Sequence, residues 1–233
     1  RWMVRPSFGA LPARRTAARI LERAAREAVM RSQQGDALPR ELLAGELVRP
    51  VRRRLLADRE PLVWRHAAVS RGLLASVDPQ LREQIDLGLE PSLSPTEWRR
   101  AAVSLVATMA ADVTAGFKAC HRLLKSEILK KDPGIAATMI WGLGPVIETE
   151  PDAAEQLLDL LSASRRPDVA EAVAQLFAEL GPSRFGSRSA DMLRSVLASK
   201  LDSDPPALRG ITERTLASLD REMSEALAQR PRD

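Results

Sequence analysis

Two imidazoles, His66 and His121, and one thiol, Cys120, are the strongest metal-ligating and nucleophilic side chains of the 233-residue sequence. A zinc site takes three or four such ligands in paired spacing. Cys120 and His121 are adjacent, so on a helix they diverge by about 100° and cannot close on one ion. A Cys–His catalytic pair fails on the same geometry, unless His66 reaches Cys120 through space. The spacing therefore favours a packed thiol at Cys120 and a surface imidazole at His121, with no metal, no cofactor and no catalytic residue. Gly142-Leu143-Gly144-Pro145 and Gly181-Pro182-Ser183 lack the Gly-Lys-Ser/Thr of a phosphate loop and read as helix ends. Asp152, Glu155 and Asp159 share one helical face at offsets of three and four, which is the pattern of a solvated acidic stripe.

Arginine remains. Residues 1–77 hold 16 arginines against 7 acidic residues, a net charge of +9, whereas the rest of the chain, with 19 basic and 24 acidic residues, carries −5. Arg15, Arg19, Arg23 and Arg26 lie along one predicted helix, and Arg49, Arg52, Arg53 and Arg54 along the next. Guanidinium groups grip carboxylate or phosphate with two parallel hydrogen bonds. This third of the chain is either a solvated face, partly neutralised by Glu22, Glu27, Glu41 and Glu46, or a binding surface for an acidic protein partner. Nucleic acid and an anionic lipid surface are the further options.

The elements that must carry these residues are helices. Aromatic residues make up 3% of the chain and tyrosine is absent, which argues against a sheet-rich fold. Alanine, leucine, arginine and glutamate, all good helix formers, dominate. No stretch of eighteen apolar residues occurs, so no membrane span is expected. With one cysteine there is no disulfide framework, and a cytoplasmic protein is the default. Arg1 in place of methionine points to a piece of a longer chain or a processed product.

A repeat organises the helices. Pro61 to Ser70 and Pro95 to Ser104 share Trp, Arg, Ala, Ala, Val and Ser at an offset of 34 residues. Proline recurs at 61, 95, 133, 167 and 205, and suits the first turn of a helix. Asp132, Asp204 and Ser94 precede three of these prolines as candidate N-caps. Second helices are predicted over Pro39–Ala57, Gln80–Leu89, Val113–Leu129, Ala153–Leu161 and Ser189–Leu201. An additional helix over Pro12–Gln33 caps the array, and the first twelve residues, with Trp2, Pro6, Phe8 and Pro12, read as an extended arm. Two regions follow: arm and cap over 1–38, and a repeat array over 39–233.

The run Pro61-Leu62-Val63-Trp64-Arg65-His66-Ala67-Ala68 resembles the first helix of bacterial HEAT-like repeats, and Arg166-Pro167-Asp168-Val169-Ala170 is similar. The resemblance spans about residues 39–220. It implies an all-α fold, an α–α superhelix of about five helix pairs plus the capping helix, because helix pairs that cannot bury their apolar faces alone do so by stacking. It also implies a non-catalytic scaffold that binds a protein partner through the solenoid surface or the basic N-terminal third. Trp64 and Trp98 are then either inter-repeat core or an aromatic platform flanked by Arg65, Arg99 and Arg100. The second option carries the alternative function. Trp98-Arg99-Arg100-Ala101 is locally similar to a run in the HEAT-like alkylpurine DNA glycosylases, which implies nucleic-acid binding and an enzymatic role.

Overall fold

The computed structural model describes residues 10–36, 38–75, 78–162 and 166–180, together with positions 198, 213, 216, 217, 220 and 221. The region beyond 180, with the expected helices at Ser189–Leu201 and Pro205, lies otherwise outside the described residues, as does the arm up to residue 9. Among the described residues every regular element is helical. The first six helices are α1 (Leu11–Gln33), α2 (Leu38–Ala44), α3 (Arg49–Leu56), α4 (Pro61–Leu74), α5 (Pro79–Leu87) and α6 (Pro95–Ala107). After a 3-10 turn at Thr108–Ala110 come α7 (Val113–Leu124), α8 (Glu127–Lys131), α9 (Ile135–Ile140), α10 (Leu143–Thr149), α11 (Pro151–Ser162) and α12 (Pro167–Leu180).

Local chemistry sets the starts. Pro61, Pro79 and Pro95 each stand in a first turn, where the missing N–H has no intrahelical role. Before α6, the backbone N–H and the hydroxyl of Ser94 both donate to the Glu97 carboxylate, at 3.2 and 2.9 Å. Asp78 accepts from the Gln80 amide (3.0 Å) and Asp112 from the Ala115 amide (3.0 Å), each satisfying an orphan donor of the helix that follows.

Three expected elements differ in form. Pro39–Ala57 is not one helix but two, α2 and α3. Gly45 weakens the helix, and Pro50 cannot donate to the carbonyl of Glu46 and would clash with it. Val113–Leu129 is divided into α7 and α8, where the Ser126 hydroxyl turns back to donate to the Leu123 carbonyl at 2.7 Å. Pro133 does not open a helix; it sits in a turn in which the Asp132 carboxylate accepts from the Gly134 amide (3.2 Å), and α9 begins at Ile135.

Five helices pack in sequence order: α1 on α4, α4 on α6, α6 on α9, and α9 on α12. The helices between them cover this row, with α3 and α5 against α4 and α5 and α7 against α6. Across this row, Arg26 of α1 reaches Glu148 of α10 (3.0 Å). One apolar cluster runs from Val29 through Trp64, Trp98 and Ile140 to Leu176. A smaller one, around Ala18, Leu55, Val63 and Ala67, seals α1 and α3 against the start of α4. Trp64 and Trp98 are both buried in the larger cluster, and Trp98 donates its indole N–H to the Glu90 carbonyl (2.7 Å). They are core, and no aromatic platform is exposed at these positions.

The α4–α6 crossing is close because Gly72 faces the backbone of α6. A Cβ at that position would overlap the Ser104 carbonyl oxygen and stand 2.8 Å from Ala107 Cβ. Ser104 completes the contact by donating its hydroxyl to the Ala68 carbonyl at 2.7 Å.

Candidate functional site

Leu62, Arg65, His66 and Val69 occupy one face of α4 by their three- and four-residue spacing. That face lines a cleft with Glu22 and Arg26 of α1, Trp141 and Gly144 at the α9–α10 junction, and Leu176 of α12. Glu22 is buried. Its carboxylate meets Nδ1 of His66 at 2.5 Å and accepts from Nε of Arg26 at 2.9 Å. Burial pushes the Glu22 carboxyl upward, but the hydrogen bonds and charges of His66 and Arg26 outweigh it, and the group ends below the ordinary 4.5. The Arg65 guanidinium lies 4.0 Å from the centre of the Trp141 ring and 5.7 Å from that of Trp64, a cation–π arrangement. The cleft has a volume of ≈ 40 Å³, room for a few water molecules at roughly 10–15 Å³ each. Its groups are mutually compensated, and they tie α1 to α4 and α10.

The remaining candidate arginines do not form one surface. Arg15 pairs with Glu60 (2.9 Å) and Arg49 with Glu46 (2.6 Å). Arg99 grips Asp132 with two bonds of 2.8 and 2.9 Å. Arg100 donates to the Asp58 carbonyl (2.9 Å). Arg52 is buried and donates to the Leu43 carbonyl (2.9 Å). Arg19, Arg23, Arg53 and Arg54 are exposed. The basic third is thus used partly as internal glue: Arg14–Asp58 and Arg15–Glu60 fasten α1 to the segment before α4.

Three features escape the sequence reading. The partner of His66 is Glu22, 44 positions away, which holds it in the cleft. Trp141 pairs with Arg65 across elements that no local spacing relates. Arg71 is buried, and here a signal existed: it follows Ala67 and Ala68 on the apolar face of α4 at offsets of four and three.

Cys120 is buried, with its Sγ 3.9 Å from the sulfur of Met109. Burial pushes the thiol up to about 12 from its ordinary 9.0, against a small opposing pull from Arg82. The thiolate fraction near neutral pH is therefore about 1,000-fold below that of a free cysteine. In the native protein, a thiol reagent at pH 8 should report no reactive group until denaturant is added. A native rate within tenfold of the unfolded chain's would contradict this burial.

Among the described residues, no group of three or more His, Cys, Asp or Glu side chains is placed to hold a metal ion, and no helix is long and apolar enough to cross a membrane. Comparison of the chain with protein-family models, with characterised proteins and with solved structures finds no match.

Proposed function

We propose that the chain is a non-catalytic interaction module, a HEAT-like α–α superhelix that docks an acidic segment of a protein partner on the corner formed by α2 and α3. The observation that carries this reading is the corner itself. Leu38, Leu42, Leu47 and Val51 are 60, 64, 93 and 41% exposed within fourteen residues of chain. Such concentrated apolar exposure marks interaction surfaces, whereas single exposed leucines do not. Arg53 and Arg54, both exposed, follow these residues in sequence and add positive charge there, whereas Arg49 is paired with Glu46. Partner docking of this kind gains affinity from the apolar contacts and orientation from the charges. The serial stacking of α1, α4, α6, α9 and α12 is what a superhelical scaffold requires, and it supplies a rigid base. A cytoplasmic setting belongs to the same reading.

Nucleic-acid binding receives less support. The run that suggested it is engaged internally: Trp98 is buried, Arg99 is paired with Asp132, and Arg100 holds the Asp58 carbonyl.

A photo-cross-linking residue at Leu47, compared with one at Leu160 of α11, tests the proposal. Cross-links to one protein from Leu47 but not from Leu160, mapping to an acidic segment and weakened about tenfold in R53E/R54E, would support it; a tenfold loss is 1.4 kcal/mol. Equal labelling at both sites, or no labelling, would overturn it. So would tight binding to a random DNA duplex with a steep salt dependence.

A further inference from the structure

Arg71 of α4, a helix that packs on both α3 and α6, feels the charges of Arg52 of α3 and Arg100 of α6, and among the described residues no carboxylate contacts any of the three. Arg71 is only 6% exposed, and its guanidinium donates to the Ser104 hydroxyl (2.9 Å) and the Arg100 carbonyl (3.1 Å), both neutral acceptors. Arg52 is 2% exposed; one of its Nη atoms donates to the Leu43 carbonyl, and the other, Nη2, is buried without a hydrogen-bond partner. Arg100 spends Nη2 on the Asp58 carbonyl, while its buried Nε has no partner. Among the described residues none of the three has a carboxylate within 4.0 Å. Asp78 acts on Arg52, and Glu97 and Asp58 on Arg100, only from farther off.

The arrangement is costly as it stands. Burying a guanidinium against neutral acceptors sacrifices hydration that hydrogen bonds only partly replace, and two buried nitrogens have no partner within the protein. Arg71 is also repelled by the other two charges. Burial first, then the charges of Arg100 and Arg52, pull Arg71 down to about 10 from its ordinary 12.5. Surface arginines elsewhere in the chain are treated differently, as the Arg99–Asp132 and Arg166–Asp168 forks show.

We propose that Arg52, Arg71 and Arg100 form a binding site for a small oxyanion, whose oxygens would take the two unpartnered N–H groups and neutralise the cluster. Guanidinium forks match the oxygen spacing of phosphate and carboxylate, and desolvation strengthens the bonds they make. A free ion suits the site better than a side chain of a partner, because Arg52 and Arg71 are almost wholly covered and a small ion needs less of the covering structure to move. This site does not rest on the proposed docking role: Arg52 shares α3 with the corner, but it and Arg71 are buried, whereas the docking residues are exposed.

Thermal unfolding of the whole chain, followed with inorganic phosphate at 10 mM against sodium chloride of equal ionic strength, tests this. At these concentrations general salt exclusion is small, so a raised Tm reports binding. The expected shift is about 3 °C or more in the native sequence, absent in Arg71→Met and Arg52→Met. Sulfate and acetate arms show whether tetrahedral or planar oxyanions are preferred, and a response to either alone still supports the site. No response to any of the three, or an equal response in both Met variants, would overturn it. If the variants do not fold, equilibrium dialysis of the native chain with radiolabelled phosphate decides: about one ion per chain, displaced by sulfate, supports the site, and no retained ion refutes it.

Discussion

Gly72→Ala should destabilise the chain by about 3 kcal/mol or more, although in an exposed helix the same change would stabilise by roughly 1 kcal/mol. Two effects oppose each other, and the geometry decides between them. Alanine lowers the entropy cost of holding α4 helical. Its methyl, however, would stand 2.1 Å from the Ser104 carbonyl oxygen, with the Ser104 carbonyl carbon 2.9 Å away and Ala107 Cβ at 2.8 Å. The obstructing atoms are backbone of α6, which no rotamer change can remove. The two helices must separate, and with them the contacts that Val69 and Leu73 make in the main core. Urea unfolding is the measurement: a midpoint shifted well down at an unchanged slope is the expected result, and a midpoint at or above that of the native sequence would contradict the close crossing.

Glu22→Ala has the second largest expected effect, about 3 kcal/mol, from breaking a buried charge cluster. The variant leaves His66 without its partner and removes one of the two carboxylates of Arg26. Arg26 keeps Glu148, so the loss should exceed that of an exposed pair without reaching that of an isolated buried charge. Glu22→Gln, which retains an acceptor oxygen of similar shape, should fall between the two. The pH dependence has a definite sign. The Glu22 carboxyl in the folded chain titrates below its ordinary 4.5, so its contribution is fully present above that value and is lost as the pH falls through the folded value. Stability curves of the native and Glu22→Ala chains should therefore converge on acidification below pH 4.5. Curves that stay parallel would show that the carboxylate is not what joins α1 to α4.

What the sequence made legible was periodic. Pro61, Pro95 and Pro167 open α4, α6 and α12, since a proline in the first turn is a local matter that needs no tertiary help. The matched tryptophans at 64 and 98 lie in one core, because an offset of 34 residues places like side chains at like depths of successive helices. All-helical architecture followed from the same pattern and from composition. The breaks at Gly45–Val48 and after Lys125 were also written locally, in Gly45, Pro50 and Ser126, but a coarse apolar pattern runs through them. Other features were not local at all. The Glu22–His66 contact spans 44 positions and Arg65–Trp141 spans 76; neither leaves a spacing to read. The arginine-rich third looked like one electrostatic surface, yet its members diverge because 3.6 residues per turn sends neighbours to different sides. Arg52 goes inward while Arg53 and Arg54 go outward.

The contact between Arg26 and Glu148 joins residues 122 positions apart. A link of that span adds little enthalpy of its own at a half-exposed position, and closing so long a segment carries an entropy penalty that grows with the logarithm of its length. The intervening helices reduce that penalty only after each has settled on its neighbour. Folding that starts from the shorter-range α1–α4 and α4–α6 pairings would bring Arg26 and Glu148 together late, so the chain's slowest conformational step should coincide with the meeting of its first and tenth helices.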